Sequence, residues 1–135
     1  MTNRIIYYYQ TFTGLKPILD KNIVTHIHLS AVHFGSNSDN SPYIHLNNNI
    51  PSDPIFYSLW DDIEECYKKG IKVILMVGGA GGAFNALFSN FDTYYPLLRE
   101  MLKTYCFNGI DLDIEELVDI NNVKKLINQI KKDFK

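Results

Sequence analysis

The stretch from Phe107 to Glu116, FNGIDLDIEE, sets Ile110, Leu112 and Ile114 between three acids, Asp111, Asp113 and Glu115. Side chains alternate along a strand, so the acids share one face and the apolar residues the other. Same-face neighbours stand about 6.5–7 Å apart, close enough for each carboxylate to influence the next one's protonation. Like charges in a low-dielectric surrounding resist full ionisation, so some member of the set keeps a proton. A carboxylic acid that stays protonated near neutral pH is what a general acid must be. Two other readings stand beside this one. Asp-x-Asp offers hard oxygen ligands to a divalent cation. Acids at a strand end also cap helices or face water, which serves for Glu116 but poorly for three acids on one strand face.

Other residues with chemistry in them are weaker. His26 and His28 form an HxH pair, yet a metal site needs ligands from later strands. His33 and His45 fall, by strand parity and position, on the opposite face or in the loop, so a core or strand-end role is expected and no metal is assigned. The run Gly78 to Gly82 is not a dinucleotide loop: counting G-x-G-x-x-G from Gly79 puts Phe84 at the last glycine, and the stretch follows the third strand, not the first. Trp60 lies on an apolar helical stripe and is read as core.

The elements that must position these residues follow from pattern. Arg4–Tyr9 is dense in β-branched and aromatic residues and reads as a first strand. A short helical turn is expected over Lys16–Lys21, with Pro17 suited to its start. Ile23–Phe34 reads as a long second strand, and the Asn-, Ser-, Asp- and Pro-rich segment from Gly35 to Pro54 as loop with a small hairpin through Tyr43–Leu46. Apolar residues at 56, 59, 60, 63, 66 and 67 mark a helix stopped by Gly70. Lys72–Val77 is a third strand, Tyr95–Tyr105 a helix with Pro96 near its start, and Gly109–Ile114 a fourth strand. The last helix carries Val123, Leu126, Ile127, Ile130 and Phe134 on one face, with Asp119 or Asn121 as its cap. Strands alternating with helices imply a parallel sheet. An open doubly wound sheet and part of an eight-stranded barrel both remain.

Composition narrows the partners. A chain of 135 residues suits one domain, and 46% apolar with 21% charged residues is a globular balance. A net charge of −2 makes no electrostatic case for nucleic acid or an anionic membrane. Lys124, Lys125, Lys131, Lys132 and Lys135 fall between the apolar positions of the last helix and read as a solvated face. Cys66 and Cys106 are isolated and read as reduced packing residues. The apolar run Val73–Phe84 holds four glycines and is short of the ~20 residues a membrane helix takes. No leader pattern precedes the first strand, so the expectation is cytoplasmic.

NGIDLDIEE resembles the DxxDxDxE signature of glycoside hydrolase family 18, the chitinase and endo-β-N-acetylglucosaminidase family, read on Asn108, Asp111, Asp113 and Glu115. KVILMVGGAGG resembles the family's SxGG motif, with Gly78 and Gly79 in the glycine positions. RIIYYYQTF and THIHLSAVHFG are similar to its opening strands, so the resemblance covers nearly the whole chain. The resemblance implies a TIM (β/α)8 barrel, here its first four β/α units, with residues 1–135 forming part of the catalytic domain. It implies cleavage of β-1,4 links next to N-acetylglucosamine, the substrate's acetamido group acting as nucleophile. By position, Glu115 protonates the leaving oxygen, Asp113 orients the acetamido group and Asp111 tunes Asp113. Glu115 sits at the carboxyl end of its strand, where barrel active sites form. Tyr7, Gly78, Gly79 and Glu116 are the substrate-binding candidates; Tyr7 and Tyr9 share one face, and one of them is expected to line the barrel mouth. No cofactor is implied, and the partner is an N-acetylglucosamine-containing oligosaccharide or polysaccharide. Two positions depart from the pattern: Asn108 replaces the first Asp, and Met76 stands where the serine would.

A complete barrel takes roughly 250 residues. A four-unit half leaves open sheet edges, an invitation to self-association. The expectations are therefore a glycosidase half that acts when the rest is supplied, or else a non-catalytic sugar-binding or interaction module. An unrelated metal-dependent barrel hydrolase is the third.

Overall fold

The structure is a computed structural model that describes residues 3–135. Five strands form one sheet: β1 (Ile6–Tyr9), β2 (His26–Ser36), β3 (Pro42–Leu46), β4 (Lys72–Gly79) and β5 (Gly109–Ile114). The helices are α1 (Lys16–Leu19), α2 (Tyr57–Lys68), α3 (Ala83–Ser89), α4 (Phe91–Thr104) and α5 (Ile120–Asp133). Strands β1, β2, β4 and β5 lie side by side in chain order and all pair in parallel. A doubly wound sheet would reverse direction at a switch point. This one never does, which is the winding of a barrel wall and decides between the two architectures.

β3 is the exception to the parallel rule. It runs antiparallel to β2 from Val32 to Ser36, taking up the flank of β2 that β1 leaves after Leu29. The register of β2 against β4 also slips: Leu29 pairs with Leu75, but Val32 pairs with Val77. One extra residue in β2 therefore reverses which face each later side chain takes.

One face of the sheet is packed by helices. Ile27, Leu29, Val32, Val73, Leu75 and Val77 are fully buried there. They meet Leu59, Ile63 and Cys66 of α2, Phe84 and Leu87 of α3, Leu98 and Met101 of α4, and Leu126 of α5. The thiol of Cys66 is pushed up to about 11, chiefly by burial, and neither cysteine is bonded. The indole of Trp60 packs on Tyr105 with ring centroids 3.8 Å apart and donates its Nε1–H to the Pro51 carbonyl at 2.9 Å. The five lysines of the last helix region are exposed. No helix among the described residues is long and apolar enough to cross a membrane.

The structure corrects two expectations about helices. α4 begins at Phe91, so Pro96 lies inside it rather than near its start. The stretch before it, left without an element in the sequence pattern, forms α3, whose Phe84 and Leu87 are fully buried.

Candidate active site

The acid face of β5 is the face the helices do not cover. Ile110, Leu112 and Ile114 pack toward the helical core, so Asp111 and Asp113 project the other way, and Glu115 follows them where β5 ends and the chain is exposed. The strand is placed by Asn108, whose Oδ1 accepts from Val73 N at 2.8 Å while its own N–H donates to Val73 O at 2.8 Å. This double clamp sets the register in which Met76 pairs with Asp111 and Gly78 with Asp113.

Asp111 lies deepest in this face. Its Oδ2 meets His28 Nδ1 at 2.8 Å and accepts from the Tyr8 hydroxyl at 3.4 Å. Partial desolvation, then the Asp111 charge and hydrogen bond, push the Tyr8 phenol above its ordinary value. At the rim, a hydrogen bond with Asp113 and then the Asp113 charge raise the Glu115 carboxyl above the usual glutamate value. Glu115 therefore holds its proton to higher pH than an isolated glutamate, and the physical cause is its neighbour on the strand.

The glycines bring β4 against this pair. Gly78 has φ +108°, and a Cβ there would run into the Asp113 carbonyl oxygen and the Phe84 ring. Gly79 has φ +94°, and a Cβ there would stand 3.8 Å from Asp113 Oδ2. Two clefts meet at Asp113. One, of ≈ 310 Å³, is bounded by Tyr8, Gln10, Ser30 and Asp111. The other, of ≈ 590 Å³, is bounded by His33, Gly78–Gly81 and Glu115. Gln10, Met76 and Asp113 border both.

Two of the residues weighed from sequence, Tyr7 and His33, are not where their pattern put them. Tyr7 pairs with Ile27 on the helix side, its ring 6.2 Å from that of the buried Tyr9, and it is Tyr8 that reaches the acids. Glu116 gives both carboxylate oxygens to backbone, accepting from Phe84 N at 2.8 Å and Asn85 N at 2.9 Å. It holds the first turn of α3, the capping role that an acid at a strand end suggested. His33 joins the acid face because the extra residue in β2 restores it there, and its ring lies over Gly81. His45 is in β3, across from His33 and stacked on Tyr43 at 3.7 Å. Gln10 had no signal in the pattern at all. Among the described residues, no three His, Cys, Asp or Glu side chains converge as metal ligands.

The profile of glycosyl hydrolases family 18 matches residues 4–135. The chain belongs to glycosyl hydrolase family 18. The family chain is similar to solved structures of two fungal members. One is the chitinase ChiC from Aspergillus fumigatus, with 30% identity and a TM-score of 0.89, covering 98% of this chain and 51% of that one. The other is a fungal endo-β-N-acetylglucosaminidase of family 18, with 30% identity, a TM-score of 0.84 and the same coverage. A family 18 chitinase from Pseudoalteromonas aurantia shares the fold at 18% identity and a TM-score of 0.67, covering 97% of this chain and 52% of that one. A comparison with curated proteins finds no match. This family 18 chain thus spans about half the length of the solved structures it matches, and its sheet is part of a (β/α)8 barrel wall.

Proposed function

We propose that residues 1–135 are part of the catalytic domain of a glycosidase that cleaves β-1,4 linkages beside N-acetylglucosamine, with retention. The observation that carries this reading is that Asp113 and Glu115 border one cleft beside Gly78 and Gly79, where the neighbouring Asp113 raises the Glu115 carboxyl. Protonated Glu115 donates to the glycosidic oxygen, and the bond from that oxygen to the anomeric carbon breaks. The carbonyl oxygen of the substrate's acetamido group closes on the same carbon, and Asp113 orients that group and offsets its developing positive charge. Glu115, now a carboxylate, takes a proton from water as the water opens the ring, which restores the starting state. Asp111 tunes Asp113 from deeper in the face. The names of the two fungal relatives, a chitinase and an endo-β-N-acetylglucosaminidase, support N-acetylglucosamine polymers as the substrate class.

A second reading, a non-catalytic binding module for the same sugars, is favoured by one observation. The acid face has no wall opposite it among the described residues, and the Asp111 side chain keeps 26% of its surface exposed. Incubation with chitotetraose, alone and with a segment supplying the remaining barrel strands, separates the two. Glycosidase action predicts cleavage that falls about 10²–10⁴-fold in Glu115→Gln. Binding seen by NMR with no cleavage under either condition assigns the module, and full activity of Glu115→Gln removes the proposed mechanism.

A further inference from the structure

We infer that His28 is a positioning residue of this site, holding the Asp111 carboxylate by an Nδ1–H···Oδ2 hydrogen bond so that Asp113 is left to pair with Glu115. The inference rests on the reading of Glu115 and Asp113 given above, and the observations behind it concern the neighbours of Asp111. Its partner on β4 is Met76, which has no proton to donate. The donors come from farther away: Tyr8 on β1 and His28 on β2, with β4 lying between β2 and β5. Only a sheet curved toward this face lets a side chain of β2 reach one on β5 across an intervening strand.

Of the two donors, His28 is the stronger. Its contact is 2.8 Å and that of Tyr8 3.4 Å, near the limit of a hydrogen bond. The His28 side chain is 12% exposed, and the Tyr8 ring stands edge-on to it at 5.0 Å, which holds the imidazole plane. Both donors engage the same oxygen, Oδ2, which fixes the rotation of the Asp111 carboxylate. An Asp111 carboxylate without a donor would be a second bare acceptor on the strand face that carries Asp113. With His28 on Asp111, Asp113 stands free beside Glu115 on the cleft that both border. The ring nitrogen that carries the proton follows from chemistry, since a carboxylate only accepts.

Imidazole ¹H–¹⁵N correlation on the labelled chain reads this directly. Neutral His28 is expected as the Nδ1–H tautomer in the wild type, and as the Nε2–H form favoured by free histidine in Asp111→Ala. Carboxyl ¹³C titration supplies the second readout. The Glu115 midpoint stays raised in His28→Asn, whose amide N–H replaces Nδ1–H, and falls toward the ordinary glutamate value in His28→Leu. A wild-type Nε2–H tautomer overturns the inference even if His28→Leu does not fold. So does a Glu115 midpoint that is the same in all three proteins. Failure of the glycosidase reading looks different: Glu115→Gln would keep its hydrolysis while the tautomer and titration results stood.

Discussion

Gly78 and Gly79 are adjacent, both at positive φ, and yet differ in what surrounds them. At Gly78 a methyl group meets a carbonyl oxygen and an aromatic ring; at Gly79 its nearest neighbour is Asp113 Oδ2, at ordinary contact distance. Gly78→Ala therefore carries both backbone strain and overpacking, a cost of about 2–4 kcal/mol, while Gly79→Ala carries strain alone, at about 1 kcal/mol. Urea unfolding of the two variants measures the difference, and equal midpoints would contradict the tight approach of β4 to β5. The acids were legible from sequence because a period of two assigns faces without any knowledge of the fold. Tyr7, Tyr8 and Tyr9 were not, because parity groups Tyr7 with Tyr9 but does not say which group turns inward. That is decided by tertiary contacts of Tyr9, which is buried beside Phe12 and accepts the Gly14 N–H at 2.7 Å. His33 was lost for a related reason, since nothing in HLSAVHF announces the extra residue that changes the parity.

At the scale of elements, α3 depends on a residue far along the chain. Seven residues give a helix little cooperative stability of its own. Gly82 at its start has no side chain to cap with, and Glu116 supplies both acceptors from just past the end of β5. Glu116→Ala removes two charge-assisted hydrogen bonds at a helix N-terminus, a loss of about 1–2 kcal/mol. Hydrogen exchange should quicken at the Phe84 and Asn85 amides while the β4–β5 ladder stays protected. Unchanged exchange at those two amides would show that α3 is held by its buried Phe84 and Leu87 alone. The same long reach explains why α3 had no signature in its own sequence. α2 and α5 were read nearly to their ends because each carries its apolar pattern locally, and α5 its cap as well, Asp119 accepting from Asn121 N. For α4, Pro96 misled, because a proline marks a first turn more often than it tolerates a helix interior.

The whole molecule is a curved wall with two unpaired margins among the described residues, since β1 pairs only with β2 and β5 only with β4. A closed barrel has no such edges. The β1 margin is apolar as well as open: Ile5 and Ile6 keep 48% and 40% of their surface exposed, with Tyr8 alongside. Natural edges are usually guarded by charge, proline or a covering loop. The β1 strand itself, IYYY, carries neither charge nor proline, and a net charge of −2 adds little repulsion between copies. The 135-residue chain on its own is therefore expected to self-associate reversibly through this margin. Sedimentation velocity should show a weight-average mass that rises with concentration. Ile6→Lys places a charge on the exposed edge without touching the buried core, so it should shift the rise to higher concentration while leaving the thermal midpoint of the dilute protein nearly unchanged. A monomer at every concentration would mean that the open margin is not sticky. Association that is indifferent to Ile6→Lys would move the contact elsewhere, to the β5 margin or to the half-exposed acid face around Met76.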